Sequence, residues 1–318
     1  MKILVTGGAG FIGSHVVDAC LAAGHQVWVL DNLSSGHREN LNPGAEFVQM
    51  DILDSAVEQV FKRERFNLVS HHAAQIDVRK SVADPAFDAR VNVLGGLGIL
   101  SLCARYGVRK VIYASTGGAI YGIPRELPAG EDHPIRPLAA YGVSKHCLEH
   151  YIELFSDLYG LEYTILRYAN VYGPRQDPHG EAGVVAIFIG RILSGTVPAI
   201  YGDGEQTRDY VYVADVARAN LLALDGGNSQ VLNIGTGVET SVNELYRKIL
   251  RRIPTPLEPR YSPPRDGEVS RISLGCEKAS RLLGWSPEVP LDKGLAQTVE
   301  YFREVHQSAL SPTIRSCE

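Results

Sequence analysis

The chain has 318 residues, of which 45% are hydrophobic and 21% are charged, and its formal net charge is −5. Such a chain can bury a sizeable core, as one large domain or as two unequal lobes of a soluble globular protein. The negative charge argues against a general nucleic-acid or anionic-membrane partner, and we expect no membrane-spanning helix.

Short β-rich runs alternate with longer helical stretches in the first half of the chain. Several of these runs are apolar at every position, as expected of parallel strands covered on both faces. The predicted strands are 2–5, 26–30, 46–50, 68–72, 111–114 and 163–166, and the predicted helices lie near 14–23, 54–63, 84–106 and 141–159. This alternation predicts an α/β fold, a Rossmann-type doubly wound parallel sheet with right-handed crossovers.

The pattern loosens after Gly173-Pro174-Arg175, which predicts a smaller mixed α/β C-terminal lobe. The expected division is a sheet domain at 1–173 to which the chain returns around 208–236, a second lobe at 174–207 and 237–305, and a frayed tail at 306–318.

A glycine-rich loop lies at the start of the chain. Gly7-Gly-Ala-Gly-Phe-Ile-Gly13 follows the apolar run Ile3-Leu-Val5 and leads into a helical stretch. This strand, loop and helix order is the context that a dinucleotide pyrophosphate requires, because glycines let the backbone approach the phosphates at a helix N-terminus. Alone the loop is a weak signal.

Short polar or small residues close the next strands. Asp31 ends the second strand, where a carboxylate accepts hydrogen bonds from both ribose hydroxyls of NAD and repels the 2′-phosphate of NADP. Asp51 closes the third strand and suits an adenine amino group. Ala73 and Ala74 close the fourth, where small side chains let a cofactor pass. We therefore expect NAD.

Tyr141 and Lys145 stand at i and i+4, so that both can point at one ligand. A free phenol is a poor base at neutral pH, and we expect Lys145 and the positive nicotinamide ring to lower the pKa of Tyr141 and make it a general acid and base. Ser115 and Thr116 end the fifth strand, where a hydroxyl could bind the reacting oxygen. The structural alternative is an amphipathic helix with a packed Tyr and a solvated Lys.

No metal site is expected. The adjacent histidines His71 and His72 would face opposite sides of a strand, and no other histidine spacing is taken to support a metal. The five scattered cysteines form no Cys-x-x-Cys and fit a reducing cytoplasm. No signal-peptide pattern precedes the first strand, so we expect a cytoplasmic location.

Seven stretches complete a larger pattern. They are 6–13, 31–36, 51–52, 114–122, 141–145, 167–174 and 208–211. Together they resemble the extended short-chain dehydrogenase/reductase family, and within it the nucleotide-sugar 4-epimerases of prokaryotic type. The resemblance runs from Met1 to about residue 303 and is more specific for the superfamily than for the sugar. It implies tightly held NAD and epimerisation at C4 of a UDP-hexose, UDP-galactose or UDP-glucose.

The resemblance also implies roles for individual residues. Those expected to hold NAD are Gly7, Gly10, Phe11, Ile12, Gly13, Asp31, Asn32, Ser35, Gly36, Asp51, Ile52, Ala73, Ala74, Gln75, Asn92, Tyr141, Lys145 and Tyr168. Those expected to hold the UDP-sugar are Thr116, Asn170, Val184, Val185, Ile200, Tyr201, Arg208, Arg265, Glu268 and Ile272. Arg208 and Arg265 suit a diphosphate, since a guanidinium forms bidentate hydrogen bonds.

Two departures from the family pattern leave alternatives open. Ile76 stands where some epimerases carry Lys, and the pair Gly117-Gly118 lengthens the hydroxyl loop, so that either Ser115 or Thr116 is the catalytic hydroxyl. The same glycines cannot transfer the protons that a 4,6-dehydratase needs. A UDP-glucuronate decarboxylase or 4-epimerase, with Arg175 or Arg271 on the carboxylate, and a non-catalytic NAD-binding regulator also remain.

Two further expectations concern the sugar and the assembly. Ile272 stands where a Tyr often closes the pocket, which predicts space for an N-acetyl group. The helices near 84–106 and 141–159 carry more apolar residues than one sheet face needs, which predicts a homodimer. These residues are Val91, Leu94, Leu97, Leu148, Ile152 and Phe155.

Overall fold

The computed structural model describes residues 1–179, 183–264 and 269–310. Its strands are β1 Lys2–Thr6, β2 Gln26–Asp31, β3 Glu46–Gln49, β4 Leu68–His71, β5 Lys110–Thr116, β6 Glu162–Tyr168, β7 Asn170–Tyr172, β8 Ala199–Tyr201, β9 Thr207–Arg208, β10 Tyr210–Tyr212, β11 Gln230–Ile234, β12 Thr240–Ser241 and β13 Arg260–Ser262.

Helices connect these strands and cover the sheet. They are α1 Phe11–Ala22, α2 Val57–Glu64, α3 Val78–Ala83, α4 Pro85–Ala89, α5 Gly96–Tyr106, α6 Gly117–Ile120, α7 Ala140–Tyr159, α8 Val184–Leu193, α9 Val213–Leu222, α10 Val242–Leu250, α11 Glu277–Leu283 and α12 Leu291–Leu310. A π-helical segment, Arg90–Gly95, joins α4 to α5, and Arg38–Asn40 forms a short 3₁₀ turn.

The seven-stranded sheet has the order β11-β6-β5-β4-β1-β2-β3, and every neighbouring pair in it is parallel. The strand order reverses between β1 and β4. Parallel pairing with crossover helices confirms the predicted doubly wound, Rossmann-type sheet. In such sheets ligands bind at the carboxyl ends of the strands beside the reversal, which here lie between β1 and β4.

The sheet separates two hydrophobic cores. Ile3 and Val5 of β1 belong to the core beneath α1 and α9, whereas Leu4 of the same strand belongs to the core beneath α5 and α7. Successive strand residues point to opposite faces, so an apolar strand supplies both cores at once. This explains why the strands read as continuous apolar runs.

A third core lies in the second half of the chain, between α8, α10 and α12. Phe188, Leu245, Ile249, Leu295 and Phe302 are buried there. Strand β11 meanwhile pairs with β6 in the main sheet, so the chain returns to that sheet before α10. The exact division into domains at 173 and 237 stays a prediction.

Several element ends differ from those expected. Helix α1 begins at Phe11, directly after Gly10, rather than near residue 14. Helix α12 continues through Leu310, five residues into the segment expected to fray from 306, and residues 311–318 lie outside the described part of the chain. Helical hydrogen bonding within α12 therefore extends further than its apolar pattern indicated.

By length and composition alone, the helical run Pro85–Tyr106 is the one helix of the described chain that could cross a membrane, although no such stretch was expected from the sequence. In this fold it packs against α7, and 39% of its most apolar window is buried. Core helices of soluble proteins have the same composition. This helical run is therefore no evidence that the protein spans a membrane.

Candidate active site

The glycine loop at the end of β1 packs tightly against neighbouring backbone. Gly7 has φ +69°, and a Cβ added there would lie 2.6 Å from the Ala73 nitrogen. A Cβ on Gly13 would lie 2.2 Å from the Gly7 carbonyl oxygen. Gly10 is the residue before the first turn of α1. The loop thus leaves a cradle without side chains at a helix N-terminus, which fits a pyrophosphate.

Asp31 is fixed at the end of β2 beside this loop. One carboxylate oxygen accepts a hydrogen bond from the Ala9 nitrogen at 3.0 Å, and the other accepts one from the Leu33 nitrogen at 2.8 Å. Asn32 donates a 2.7 Å hydrogen bond to the Asp51 carboxylate. The ends of β2 and β3 therefore present two anchored carboxylates, as an adenosine with a free 2′-hydroxyl requires.

The turn after β4 is held by a buried amide network. The Gln75 nitrogen donates to Asn92 Oδ1 at 2.8 Å, and Asn92 Nδ2 donates back to the Gln75 oxygen at 2.9 Å. Both side chains also donate to Asp88, which is fully buried and whose Oδ2 has no hydrogen-bond partner. Asn92 thus fixes the backbone after β4, and with it the cleft wall formed by Ala73 and Ala74.

Tyr141 and Lys145 lie in the first turns of α7. Lys145 is buried, and its ammonium lies 4.5 Å from the centre of the Tyr113 ring. Burial lowers the pKa of Lys145 to about 7, although Glu149 and Asp88 favour its charged form. Burial raises the pKa of Tyr141, and repulsion from Asp88 adds to this. Desolvation is therefore the largest effect on the Tyr141 pKa in the protein without ligand, and the lowering expected from Lys145 and the nicotinamide ring stays a prediction for the complex.

The two hydroxyls at the end of β5 have different surroundings. Ser115 is buried and donates to Glu149 at 2.5 Å. Thr116 is only partly buried, and its Oγ1 lies on the side of Gly118, where an added Cβ would be 4.0 Å from it and 3.6 Å from Asn170 Oδ1. Thr116 Oγ1 and Asn170 Oδ1 thus both lie on the side of Gly118, whereas Ser115 is turned into the interior.

A cavity of about 790 Å³ opens between α8, β8, β9 and α12. Five residues expected to bind the sugar nucleotide line it: Asn170, Val184, Ile200, Tyr201 and Arg208. Its wall also contains Arg79 of α3, from the other side of the cleft, together with Gln206 and Tyr210. The cavity thus combines three arginines, Arg79, Arg191 and Arg208, with apolar side chains, which suits a nucleoside diphosphate.

Residues 3–235 match the model of the NAD dependent epimerase/dehydratase family. The chain belongs to this family. The match includes the glycine loop, Tyr141, Lys145 and all seven strands of the main sheet, so the family carries the sheet and the reactive centre together.

Solved structures of family members superpose closely on this one. A UDP-glucose 4-epimerase of Thermotoga maritima with UDP-glucose is 52% identical, with a TM-score of 0.94 over 96% of this chain and 99% of that one. The Thermus thermophilus UDP-glucose 4-epimerase in complex with NAD is 47% identical, with a TM-score of 0.91 over 95% and 99%. A UDP-glucose 4-epimerase of Mycolicibacterium smegmatis is 47% identical over 96% of this chain and all of its own.

Some expected site residues of this family member lie elsewhere. The Val185 side chain is fully buried in the third core rather than in the cavity wall. Ile272 is only 2% exposed and packs against Ile120, Tyr121 and Leu274. The space for an N-acetyl group that Ile272 was expected to leave stays a prediction. Arg265 and Glu268 lie outside the described residues.

Tyr168 is buried at the end of β6, and its expected place near the nicotinamide stays a prediction. Its ring stacks on His72 with centroids 6.5 Å apart, and its hydroxyl accepts a 2.8 Å hydrogen bond from Asn220. His71 stacks on Tyr113 instead. The two histidines therefore face opposite sides of the sheet, as predicted, and cannot share a metal.

Sequence reasoning missed the buried ion pair of Glu149 and Arg167. Arg167 donates to Glu149 at 2.7 and 3.1 Å, and His146 lies 2.9 Å from the same carboxylate. Burial alone would raise the pKa of Glu149, but hydrogen bonds from His146, Arg167 and Ser115 hold it at about 2. The pair lies near the carboxyl ends of β5 and β6. Its only signal in the sequence is that Glu149 follows Lys145 by one turn on the same face of α7.

Proposed function

We propose that this protein is a UDP-hexose 4-epimerase that converts UDP-galactose and UDP-glucose into each other through a 4-keto sugar. The observation that carries this proposal is one arrangement of three groups: Tyr141 and buried Lys145 on α7, and Thr116 at the end of β5. All three stand at the carboxyl edge of the sheet, beside the glycine cradle. The UDP-glucose 4-epimerases that superpose on the chain support the choice of reaction.

Gly7, Gly10 and Gly13, with Asp31 at the end of β2, would hold NAD, since the tight loop has no room for a methyl on Gly7 or Gly13 and so leaves its backbone open to the phosphates. When bound, NAD accepts hydride from C4 of the sugar and returns it, and its positive ring favours the phenolate of Tyr141. No second substrate is consumed, as epimerisation requires.

Tyr141 takes the proton from the sugar 4-hydroxyl and later returns it. Because its pKa is raised in the ligand-free protein, it is a neutral donor at rest and becomes a base only when positive charge enters the cleft. Lys145 has a pKa of about 7. Its protonation state is therefore also sensitive to positive charge entering the cleft. Thr116 holds the reacting oxygen by a hydrogen bond, which orients it towards Tyr141.

The nucleotide end of the substrate lies in the 790 Å³ cavity. Arg208 is held by its own strand, with Nη1 donating to the Thr207 oxygen at 2.8 Å. A guanidinium fixed in this way binds a diphosphate without losing further freedom. Asn170, Val184, Ile200 and Tyr201 complete the wall, and Arg265 and Glu268 remain predicted contacts.

The direct test is to incubate the purified protein with UDP-galactose and no added cofactor. UDP-glucose should form until the two sugars reach equilibrium. Tyr141→Phe should abolish this conversion and retain bound NAD, because the hydroxyl is removed but the ring remains. Absence of UDP-glucose from wild-type protein with demonstrated NAD content would overturn the proposal, and turnover by Tyr141→Phe would overturn the role of Tyr141.

The structure gives little support to a uronate reaction. Arg175 is paired with Asp18 at 2.7 Å, and Arg271 is paired with Glu239. Both guanidinium groups that could receive a sugar carboxylate are therefore already neutralised. A panel of UDP-galactose, UDP-N-acetylglucosamine and UDP-glucuronate separates the possible sugars, and tolerance of the N-acetyl form stays a prediction.

We also propose that the protein is a cytoplasmic homodimer built on the helical run Pro85–Tyr106 and on α7. Leu148 and Ile152 belong to the sheet core, but Leu94 and Leu158 are 58% and 62% exposed. Val143 and Leu154 extend the same exposed apolar face of α7. A face of this kind is stabilised by a second copy. Sedimentation should give twice the 34.7 kDa chain mass, and a monomer at micromolar concentration would contradict the proposal.

A further inference from the structure

Helix α7 carries Tyr141 and Lys145, and the amides of its first turn need acceptors from outside the helix. The first amides of an α-helix have no partner within the helix itself. Tyr141 is the second residue of α7, so its own backbone N–H is one of them. The N-cap residue is Ala139, whose methyl side chain cannot accept a hydrogen bond. The backbone N–H of the proposed general base therefore depends on an acceptor from another element.

Ser81 of α3 supplies this acceptor. Its Oγ accepts a hydrogen bond from the Tyr141 nitrogen at 3.1 Å and donates one to the Val78 oxygen at 2.7 Å. Because the hydroxyl proton is directed to Val78, Oγ serves Tyr141 as an acceptor. Ser81 is fully buried, so solvent does not reach this hydrogen bond. A serine 60 residues earlier in the chain therefore does for α7 what an N-cap side chain does in other helices.

Helix α3 is itself anchored to the turn after β4. Asp77 is the N-cap residue of α3, and its carboxylate accepts a hydrogen bond from the Lys80 nitrogen at 2.9 Å. The Gln75 side chain accepts from the Asp77 nitrogen at 2.6 Å and donates to the Asp77 oxygen at 2.9 Å. Ser81 therefore connects Tyr141 to the turn that forms the wall of the proposed NAD cleft.

A second contact fixes the first turn of α7 against α6. A Cβ added to Gly142 would lie 2.5 Å from the Ala119 oxygen, so the backbones of α6 and α7 approach closely. Helix α6 begins directly after Thr116, at the end of β5. The Gly142 contact thus fixes the start of α7 relative to Thr116. The Ser81 hydrogen bond fixes Tyr141 relative to the turn after β4.

We propose that Ser81 is a positioning residue for the reaction, which holds the Tyr141 backbone so that the phenol meets the sugar 4-hydroxyl. This role rests on the proposed function, whereas the hydrogen bond itself does not. Without the acceptor, the first turn of α7 loosens and the phenol shifts. A displacement of about 1 Å at a reacting group can cost about 10²-fold in rate. Because other elements bind the nucleotide and NAD, the loss should appear in kcat and not in KM.

The variant Ser81→Ala removes the acceptor and keeps a small side chain in the buried position. It should lower kcat for UDP-galactose about 10- to 100-fold and leave KM and the Kd for NAD within about twofold of wild type. Ser241→Ala is the matched control, because Ser241 caps α10 by accepting from the Glu244 nitrogen at 3.1 Å. It removes the same kind of bond from a helix of the third core and should keep the wild-type kcat. Equal kcat in Ser81→Ala and wild type would overturn the proposal.

A second variant tests whether loss of the cap is the cause. Ala139 has φ −140° and ψ 156°, the extended backbone of an N-cap residue, so a serine there can accept from an amide of the first turn. Ala139→Ser in the Ser81→Ala background should therefore recover most of the lost kcat. No recovery, in a double variant that circular dichroism shows to be folded, would contradict positioning through the first turn of α7.

Hydrogen exchange of the Tyr141 amide, followed by NMR without substrate, tests the contact apart from the reaction. The amide should be protected in wild type and should exchange at least about tenfold faster in Ser81→Ala. Equal exchange rates in the two proteins would overturn the role of Ser81. Wild-type protein that converts no UDP-galactose but shows this difference in exchange would refute the proposed function and still support the Ser81 contact.

Discussion

The Ser115 hydroxyl donates a 2.5 Å hydrogen bond to the Glu149 carboxylate. Glu149 is buried and is also bound by Arg167, so this serine is committed to the interior of the sheet. Side chains of successive strand residues point to opposite faces, so we expect Thr116 to be the hydroxyl that faces the substrate. The sequence alone left these two residues undecided.

Thr116→Val should therefore lower kcat about 10² to 10³-fold, the loss typical of one donor to a reacting oxygen. Ser115→Ala should change kcat much less but lower the free energy of unfolding by about 1–3 kcal/mol, because Glu149 loses a buried donor. Steady-state kinetics and denaturant unfolding of both variants measure this difference. A larger kcat loss in Ser115→Ala than in Thr116→Val would reverse the assignment.

The ion pair beneath these hydroxyls should be important for stability. Glu149→Gln leaves the Arg167 guanidinium buried without a counter-charge and should lower the free energy of unfolding by about 3–5 kcal/mol. Glu153→Gln, one turn further along α7 and 45% exposed, should change it by less than about 0.5 kcal/mol. Urea unfolding of both proteins is the measurement, and equal effects would contradict a buried, paired Glu149.

Lys145 predicts a pH dependence of stability in the cofactor-free protein. Its pKa is about 7 in the fold, against about 10.4 in an unfolded chain. Between these values the unfolded chain binds one proton more, so stability should rise with pH by up to about 1.4 kcal/mol per pH unit. Lys145→Met lacks this contribution. The wild-type protein should therefore gain stability relative to Lys145→Met from about pH 7 to pH 10, and the opposite slope would contradict a lowered pKa.

A substitution at Gly10 should weaken NAD binding while leaving the fold intact. A methyl added there meets only the Gly7 oxygen at 3.2 Å, but it enters the space kept for phosphates. Gly10→Ala should raise the Kd for NAD about tenfold or more, a loss of ~1.4 kcal/mol. Gly24→Ala is the control, since Gly24 has φ +80° and nothing lies within 4 Å of an added Cβ. It should cost backbone strain and leave NAD binding unchanged, and equal NAD loss in both variants would refute the cradle.

The fold could be predicted from the sequence because the patterns that indicate it are local. The apolar runs around Ile3 and Val69, and the glycines before α1, each report on a few neighbouring residues. The Glu149–Arg167 pair and the Asp88–Asn92 network could not be predicted from the sequence. Each depends on which side chains the packed helices and strands bring together. Spacing places Lys145 near Tyr141, but only the fold shows that burial raises the pKa of Tyr141 before any ligand binds.

The central claim is that the hydrogen at C4 leaves the sugar and returns to the same molecule. Conversion of UDP-[4-²H]galactose by the purified protein in ordinary water, without added cofactor, measures this most directly. The account predicts UDP-glucose that retains deuterium at C4, found by mass spectrometry and NMR. UDP-glucose that has lost its deuterium to water would show exchange through a carbanion instead, and would contradict the account.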